Sequence, residues 1–164
     1  LCQAAQAFLP CSGIDCQVTV VTAHAVIASA CRNQGIDVVW NDQAGEGMAA
    51  SLRCAVEACH DAGAWAFFPA DQPLLTSETV TDFLRQFLAS GAPLGCMHNG
   101  ERRCSPAIFR RIYGPELLRL HGDTGGRQFL RSPQTWVYRP KQIDELFDID
   151  YQKDLIFLNK PELK

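Results

Sequence analysis

The run AWAFF at residues 64–68 most constrains the fold, because its side chains are apolar on both faces of an extended strand. Two other runs rich in β-branched residues precede it, at Cys16–Thr22 and Ile36–Trp40. Segments of helical composition follow these two runs, at Ala23–Asn33 and Met48–Ala62. Strands that alternate with helices are typical of a sheet covered by helices on both sides. We therefore predict an α/β fold of three layers, α/β/α, with a mostly parallel sheet.

The second half of the chain is predicted to continue this alternation with shorter elements. Thr76 precedes a helical stripe and Gly91 follows it, so a helix is expected between them. The apolar side of this helix covers residues 79–90. The further predictions are a weak strand at 92–97, short helical pieces at 107–113, 115–120 and 126–131, a strand at 135–139 and a last helix at 151–158. Residues 1–10 have an amphipathic pattern with no N-terminal cap, which predicts that the chain begins inside a helix.

Length and composition exclude several classes of protein. The 164 residues suit one domain, which we predict to span residues 1–164. The net charge is −3 and no basic patch is present, which argues against a nucleic-acid partner. No apolar run reaches the roughly 18 residues of a membrane span, and the first ten residues lack the charged region of a signal peptide. The eight cysteines show no C-x-x-C spacing, which favours thiols in a reducing cytoplasm over disulfides or a zinc site.

One carboxylate, Asp71, follows the apolar run and lies between Pro69 and Pro73. In α/β folds, ligands bind outside the carboxyl ends of the strands, where this aspartate is expected. The two prolines stiffen the turn, and a fixed carboxylate suits a hard cation such as Mg²⁺. An aspartate in an ordinary strand-to-helix turn is the alternative of equal weight.

A second acidic group lies near the C-terminus, at Asp148 and Asp150. In an extended segment, side chains two residues apart face the same way, so both carboxylates are predicted on one side. Asp150 also precedes the predicted last helix, where it is placed to cap the helix. Three interpretations stay open here: metal ligands, a helix cap at Asp150, and a solvated surface charge at Asp148.

A glycine-rich segment, LHGDTGGR, covers residues 120–127. Its paired glycines allow the backbone to approach a ligand closely, and the planar guanidinium of Arg127 suits a phosphate or a pterin. The alternative is a glycine-rich turn in which Asp123 caps a short helix. His98 and His121 occur singly and are interpreted as surface or structural residues.

Four segments occur in an order that resembles the molybdenum cofactor nucleotidyltransferases, and most of all their cytidylyltransferase branch. The segments are G-M-x-x-S-L at 47–52, FFPADQPLLT at 67–76, L-x-G-D-x-G-x-R at 120–127 and D-I-D-x-x-x-D-L at 148–155. The resemblance extends from about residue 16 to residue 158. It implies a Rossmann-like nucleotide-diphospho-sugar transferase fold. It also implies transfer of a nucleotide from an NTP to the phosphate of molybdopterin, with release of pyrophosphate.

The resemblance implies roles for individual residues. Asp71 and Asp150 match the acidic positions that act in catalysis and hold the metal, expected to be Mg²⁺, and Asp148 is a neighbouring metal ligand. The residues that match the nucleotide-binding segment are Gly47, Met48 and Ser51. The residues that match the substrate-binding segment are Gly122, Asp123, Gly125 and Arg127.

Two parts of the family pattern are not matched. The family has a first strand followed by a glycine-rich loop, L-A-A-G-x-x-x-R-x-G, which cradles the triphosphate, and the sequence contains no such segment. Residue 1 corresponds to a point after this loop, so the domain is expected to lack the first strand and the loop. Where relatives often carry a glycine-histidine-proline-like run, the sequence has Cys104-Ser105-Pro106.

The sequence thus predicts Mg²⁺-dependent transfer of CMP from CTP to molybdopterin-bound molybdenum cofactor, in the cytoplasm. One alternative is transfer of GMP or another nucleotide, or transfer to another small phosphorylated acceptor. A second is a carrier that hands the cofactor to a molybdoenzyme apoprotein without nucleotide chemistry, and a third is a degenerate transferase fold kept for assembly. The expected partners are CTP or another NTP, molybdopterin and a molybdoenzyme apoprotein, with no nucleic acid and no membrane.

Overall fold

A computed structural model describes residues 13–154, so the helical pattern at residues 1–10 lies outside the described part of the chain. The strands are β1 (Thr19–Thr22), β2 (Asp37–Trp40), β3 (Ala64–Phe67), β4 (Leu94–His98), β5 (Arg103–Arg110) and β6 (Thr135–Tyr138). The α-helices are α1 (Ala25–Asn33), α2 (Met48–Ala58), α3 (Ser77–Ser90) and α4 (Gly114–Leu118). Short 3-10 helices occupy Ala44–Glu46, Arg111–Tyr113, Gly126–Arg131 and Ile143–Leu146.

The strands of residues 13–154 form two sheets. β1 and β2 pair in parallel, from Thr19 opposite Asp37 to Thr22 opposite Trp40. The other four strands have the order β3-β5-β4-β6. β5 is antiparallel to both of its neighbours and β4 is parallel to β6, so β3, β4 and β6 share one direction and β5 alone opposes it. The predicted α/β class is confirmed, with a mixed larger sheet.

Strand β5 stands where the sequence pattern predicted a helical piece at residues 107–113, and that prediction was wrong. Residues 107–110 belong to β5, and only Arg111–Tyr113 forms a 3-10 helix. β5 lies between β3 and β4, so Ala107, Ile108 and Phe109 are all buried. A run that is buried on both faces lacks the alternation that distinguishes a strand from a helix, and pairing with two neighbours decides the outcome.

A bulge interrupts β5 where it pairs with β4. Cys96 is opposite Ala107 and Met97 is opposite Cys104, so β4 offers no counterpart to the two residues between them, Ser105 and Pro106. Proline has no N–H group to give to a ladder and is tolerated at such positions. The bulge frees the Ser105 carbonyl from the β4 ladder for contacts outside the sheet.

Helix α1 ends as its sequence predicts, at a glycine. Gly35 has a positive φ of 73°, a conformation that costs glycine little. The Gly35 amide donates to the Arg32 carbonyl and the Ile36 amide donates to the Cys31 carbonyl, both at 3.0 Å. This is the Schellman arrangement, in which the apolar residue after the glycine also packs against the last turn. The packing of Ile36 against Cys31 directs the chain from α1 into β2.

Helix α3 begins with a cap that joins distant parts of the chain. Thr76 accepts a hydrogen bond from the Thr79 amide at 3.2 Å, as expected of an N-cap. The buried carboxylate of Glu145 accepts from the Thr76 amide, the Thr76 hydroxyl and the Thr79 hydroxyl, at 3.0, 2.9 and 3.0 Å. A negative charge at a helix N-terminus is stabilising. The segment 143–146 is therefore anchored to the start of α3.

The larger sheet is covered on both faces, which gives the three predicted layers. On one face, residues of α2 and α4 such as Val56 and Leu117 pack with Trp65 and Phe109. On the other face, Phe83 and Phe87 of α3 form part of a second cluster with strand residues that include Ile108 and Tyr138. Among residues 13–154, no helix is long and apolar enough to cross a membrane.

Candidate functional site

The predicted metal ligands come from two chain segments that a backbone hydrogen bond holds together. Asp71 lies in the turn after β3 and is exposed, with Pro69 and Pro73 on either side. The amide of Ile149 donates a hydrogen bond of 2.8 Å to the Asp71 carbonyl oxygen. Because Ile149 lies between Asp148 and Asp150, this single bond brings both C-terminal carboxylates beside the turn.

Gln72 is a residue of this site that the sequence did not reveal. Its side chain is only 4% exposed, and its amide nitrogen donates to Asp148 Oδ1 at 2.9 Å. The same nitrogen lies 3.5 Å from the Ser105 carbonyl oxygen in the β5 bulge. Within the described residues its amide oxygen is buried without a hydrogen-bond partner. Gln72 thus links the turn, the bulge and the C-terminal segment and sets the orientation of Asp148.

Asp71 is affected by the charges of both C-terminal carboxylates. Partial burial of the carboxyl raises the pKa of Asp71, a hydrogen bond from its own backbone amide to the carboxylate lowers it, and the charges of Asp148 and then Asp150 raise it further. Asp148 and Asp150 are both exposed while Phe147 and Ile149 are not, as the predicted alternation requires. No described Lys, Arg or His forms an ion pair with any of the three.

The arrangement fits a cation that is held only partly by protein. In the described part of the chain, no three His, Cys, Asp or Glu side chains converge closely enough to hold a metal ion. Mg²⁺ is commonly bound through one or two carboxylates, with water and substrate phosphates as the remaining ligands. Asp71 with one C-terminal carboxylate supplies such a set of oxygen ligands, and a bound dication would relieve their mutual repulsion.

The cap predicted at Asp150 is not formed within the described residues. The carboxylate of Asp154 instead accepts hydrogen bonds from the amides of Asp150 and Tyr151, at 3.2 and 2.8 Å. Asp154 lies inside the short turn at residues 152–154 and reaches back to these amides. The carboxylate of Asp150 therefore keeps its oxygens for another partner. The remainder of the predicted last helix, after residue 154, lies outside the described residues.

The two glycine-containing segments contact each other directly. Gly47, which precedes α2, has a φ of +93°, and a Cβ atom added there would lie 2.7 Å from the carbonyl carbon of Gly122 and would also clash with the Asp123 carboxylate. The Ala49 amide donates to the Gly122 carbonyl at 3.0 Å. A Cβ atom at Gly125 would lie 2.7 Å from the sulfur of Met48. The predicted nucleotide segment and the predicted substrate segment are thus packed against each other.

Ser51 is held in place from the end of β2. Its hydroxyl oxygen accepts a hydrogen bond of 3.0 Å from the side-chain amide of Asn41, which is buried. Asn41 also accepts from the Gln43 amide at 3.0 Å. Since the Ser51 hydroxyl acts as an acceptor towards Asn41, its proton stays available to a ligand.

Arg53 links the loop before the G-M-x-x-S-L segment to the start of the glycine-rich segment. Its guanidinium donates to the Leu120 carbonyl at 2.6 Å and to the carboxylate of Glu46 at 2.8 Å. Glu46 lies in the loop before Gly47, and Leu120 begins the segment LHGDTGGR. Sequence reasoning had no signal for this role, because the two contacts lie on opposite sides of Arg53 in sequence and one is 67 residues away.

The half-buried thiol of Cys104 connects the carboxylates to the glycine-rich segment. Burial raises the pKa of Cys104, the charge of Asp148 raises it further, and the charges of Arg102 and Arg127 lower it. The contacts of the residues next to Cys104 agree with this. The Ser105 carbonyl lies 3.5 Å from the Gln72 nitrogen that donates to Asp148, and Arg103 lines a cleft together with Arg127. The predicted metal ligands and the predicted substrate arginine therefore approach β5 at neighbouring residues.

The histidines set apart in the sequence do not join this group. His98 Nδ1 accepts a hydrogen bond of 3.0 Å from the Gly100 amide in the turn between β4 and β5. The backbone carbonyl of His121 accepts from the Thr124 hydroxyl within the glycine-rich segment. The structure thus brings the predicted site residues together in two neighbouring groups, and the role of each residue stays a prediction.

The comparisons with known proteins point to one family. Residues 1–138 match the family model described as the MobA-like NTP transferase domain. No curated protein matches the chain significantly.

Three solved structures illustrate the likeness of the fold. A Methanothermobacter nucleotidyl transferase has a TM-score of 0.76 and 20% identity, with 96% of this chain and 77% of that chain covered. A Mycobacterium tuberculosis protein crystallised with manganese has a TM-score of 0.72 and 25% identity, with 96% and 84% covered. The molybdopterin-guanine dinucleotide biosynthesis protein A of Archaeoglobus fulgidus has a TM-score of 0.59 and 16% identity, with 85% and 75% covered. With the family match over most of its length, the chain belongs to the MobA-like NTP transferase domain family and is a nucleotidyltransferase.

Proposed function

We propose that the protein transfers CMP from CTP to the phosphate of molybdopterin-bound molybdenum cofactor, with Mg²⁺ as the metal and pyrophosphate as the second product. The observation that carries the proposal is the direct packing of the G-M-x-x-S-L segment against the L-x-G-D-x-G-x-R segment. Arg127 of the second segment lines a cleft with Arg103, and Gln72, which contacts the nearby Ser105 carbonyl, also holds Asp148. A nucleotide site, an acceptor site and a metal site are needed close together for such a transfer.

The chemistry requires positioning more than proton transfer. An oxygen of the acceptor phosphate forms a bond to the α-phosphorus of CTP, and the bond from that phosphorus to the oxygen bridging to the β-phosphate breaks. The electron pair of the broken bond leaves with pyrophosphate. The attacking phosphate oxygen is already anionic at neutral pH, which is consistent with a site that needs no general base.

Specific residues would perform the binding. Asp71 and Asp150 would hold the cation, with Asp148 oriented beside them by Gln72. When bound, Mg²⁺ would neutralise charge on the phosphates. The Ser51 hydroxyl, fixed by Asn41, would donate to an acceptor atom of the base. The close approach of Gly47 to Gly122 would bring the nucleotide segment next to the backbone that receives the acceptor.

GTP is the second candidate donor. It is favoured by one comparison, because the Archaeoglobus neighbour is described as a molybdopterin-guanine dinucleotide biosynthesis protein. The manganese complex of the mycobacterial neighbour supports a divalent cation in the proposed reaction. We also propose a cytoplasmic location, in keeping with the free thiols of Cys54, Cys59, Cys96 and Cys104 in the described part of the chain.

The test is pyrophosphate release by the full-length protein with Mg²⁺ and molybdenum cofactor, comparing CTP, GTP and ATP. We expect release with CTP, dependent on both the cofactor and the cation. Preferential release with GTP would replace the cytidylyl assignment by a guanylyl one. No release with any nucleotide, from a protein that still binds the cofactor, would overturn nucleotidyl transfer to this acceptor and favour a carrier that hands the cofactor to a molybdoenzyme apoprotein.

A further inference from the structure

A cleft lined by four arginines lies at the start of β5. Its volume is about 550 Å³, and its lining consists of Arg102, Arg103, Arg127, Leu130 and Arg131. The protein as a whole carries a net charge of −3, so this concentration of positive charge is local. A cleft lined by charges of one sign focuses the electrostatic potential and attracts ligands of the opposite sign.

The arginines differ in what they already bind. Arg103 donates to the carbonyl oxygens of Leu130 and Ser132 at 2.5 and 3.0 Å, which fastens the end of the 3-10 helix 126–131 to the start of β5. Arg102, Arg127 and Arg131 are exposed. In the part of the chain that the structure describes, their guanidinium groups take part in none of the ion pairs. Three cationic groups are therefore available to a ligand, and the fourth holds the cleft together.

The local structure brings these side chains together. A Cβ atom at Gly126 would lie 2.6 Å from the Phe109 ring. Because glycine has no side chain, the 3-10 helix 126–131 packs directly on β5. This placement carries Arg127 and Arg131 towards Arg102. The Asn99 side chain accepts hydrogen bonds from the amides of Glu101 and Arg102 at 3.2 and 3.0 Å, which fixes the turn that presents Arg102.

We infer that this arginine cleft binds the phosphate of the acceptor, as a phosphomonoester dianion, and delivers it to the carboxylate group at Asp71. Planar guanidinium groups bind phosphate oxygens through paired, charge-assisted hydrogen bonds. The two regions are linked through β5, because Arg103 of the cleft lies two residues before Ser105, whose carbonyl is 3.5 Å from the Gln72 nitrogen that donates to Asp148. The inference rests on the proposed function for the identity of the acceptor, but the binding of a phosphate to the cleft can be measured without turnover.

The triphosphate of the nucleotide is the other source of phosphate oxygens. The lining residues come from β5, the turn before it and the 3-10 helix 126–131, and none comes from the G-M-x-x-S-L segment on α2. We therefore assign the cleft to the acceptor, and the experiment separates the two sources.

The first arm measures binding of inorganic phosphate to the full-length protein by isothermal titration calorimetry, without nucleotide or metal. We expect Arg127→Gln and Arg131→Gln each to weaken binding by roughly tenfold, as expected for the loss of a charge-assisted contact. Arg32→Gln, an exposed arginine of α1, is the matched control and should leave binding unchanged. Thermal melting of each variant checks that the fold is kept. Equal phosphate affinity in wild type and both cleft variants would overturn the inference.

The second arm measures steady-state kinetics with molybdenum cofactor and the nucleotide that turns over. We expect the cleft variants to raise KM for the acceptor about tenfold and to leave KM for the nucleotide within about twofold. A rise in the nucleotide KM alone would overturn the assignment to the acceptor. If no nucleotide is turned over but phosphate binding still depends on Arg127 and Arg131, the proposed function is wrong and the cleft is still a phosphate-binding site.

Discussion

Asp71 lies near Asp148 and Asp150, and no described cationic side chain forms an ion pair with it. Because the pKa of Asp71 is raised above its ordinary value, the ionised carboxyl destabilises the folded state at neutral pH. We expect Asp71→Asn to abolish nucleotidyl transfer and to increase the free energy of unfolding at neutral pH by about 0.5 kcal/mol, the scale of interactions between exposed charges. Urea denaturation measures the change.

The pH dependence of that gain follows from the direction of the shift. Below the ordinary aspartate pKa, the carboxyl is protonated in both folded and unfolded states, so the advantage of asparagine should disappear as the solution is acidified. Asp144→Asn, at another exposed aspartate, is the control. A variant that retains full activity, or a gain in stability that persists in acid, would contradict the account of Asp71.

At position 47, both the backbone conformation and the packing require glycine. Its φ of +93° disfavours any residue with a side chain, and the space for a Cβ atom is filled by Gly122 and Asp123. We expect Gly47→Ala to cost about 2 kcal/mol or more in unfolding free energy and to weaken nucleotide binding, because the two segments must move apart. Chemical denaturation and nucleotide titration measure the two effects.

Gly45 provides the matched control for Gly47. It lies two residues earlier, and a Cβ atom there would meet nothing within 4 Å. Gly45→Ala should change the unfolding free energy by no more than about 0.5 kcal/mol. Similar costs for the two substitutions would show that the contact between the segments is unimportant.

At the scale of elements, the interaction of Glu145 with the start of α3 is the contact most open to test. Replacing Glu145 by alanine leaves the buried Thr79 hydroxyl without this carboxylate acceptor. Thr76 loses the same acceptor for its amide and its hydroxyl. We expect Glu145→Ala to cost about 2–3 kcal/mol of unfolding free energy. Glu78→Ala, which removes an exposed partner of Lys141, should cost less than about 1 kcal/mol. A cost for Glu145→Ala no larger than for Glu78→Ala would refute the anchoring role.

Elements specified by local signals could be predicted from the sequence. The β-branched runs form β1 and β2. The residues predicted to start or stop helices, Thr76, Gly35 and Gly91, lie at helix ends. The helix predicted at Met48–Ala62 ends at Ala58, since helix ends are poorly marked without a strong cap. β5 was missed because its pairing partners, not its own pattern, make it a strand.

The sequence indicates residues of the candidate site where they lie in short motifs, and not where contacts between distant residues place them. The two prolines around Asp71 indicated that residue, and the motifs that contain Gly47 and Gly122 indicated those glycines. Gln72 and Asp148 are 76 residues apart, and Glu145 and Thr76 are 69 apart. No local pattern encodes such pairings, because they arise only when the sheet has brought the segments together.

At the scale of the whole molecule, the apolar core is unevenly distributed. Two clusters cover the faces of the larger sheet, with buried side chains that include Phe83, Phe87 and Phe109. Among residues 13–154, the cluster under β1 and β2 has Cys31 and Ile36 as its buried members. Local opening costs least where little apolar surface is buried. The described chain is therefore expected to open first at α1 and the two-stranded sheet.

Native-state hydrogen exchange tests this expectation. The amides of β1 and β2 should be protected at least about tenfold less than those of β4 and β5, and should exchange through a separate opening of lower free energy. Equal protection in the two sheets, with one shared dependence on denaturant, would instead show that the described chain unfolds as a single cooperative unit.

The hydrogen bond from the Ile149 amide to the Asp71 carbonyl has a consequence for how the acidic site can be dissected. Main-chain atoms, which no substitution at Asp71, Asp148 or Asp150 removes, set the spacing between the two acidic segments. One carboxylate can therefore be replaced by a neutral side chain while the other two keep their positions. Each single variant then reports on the role of one carboxylate and not on the collapse of the whole site.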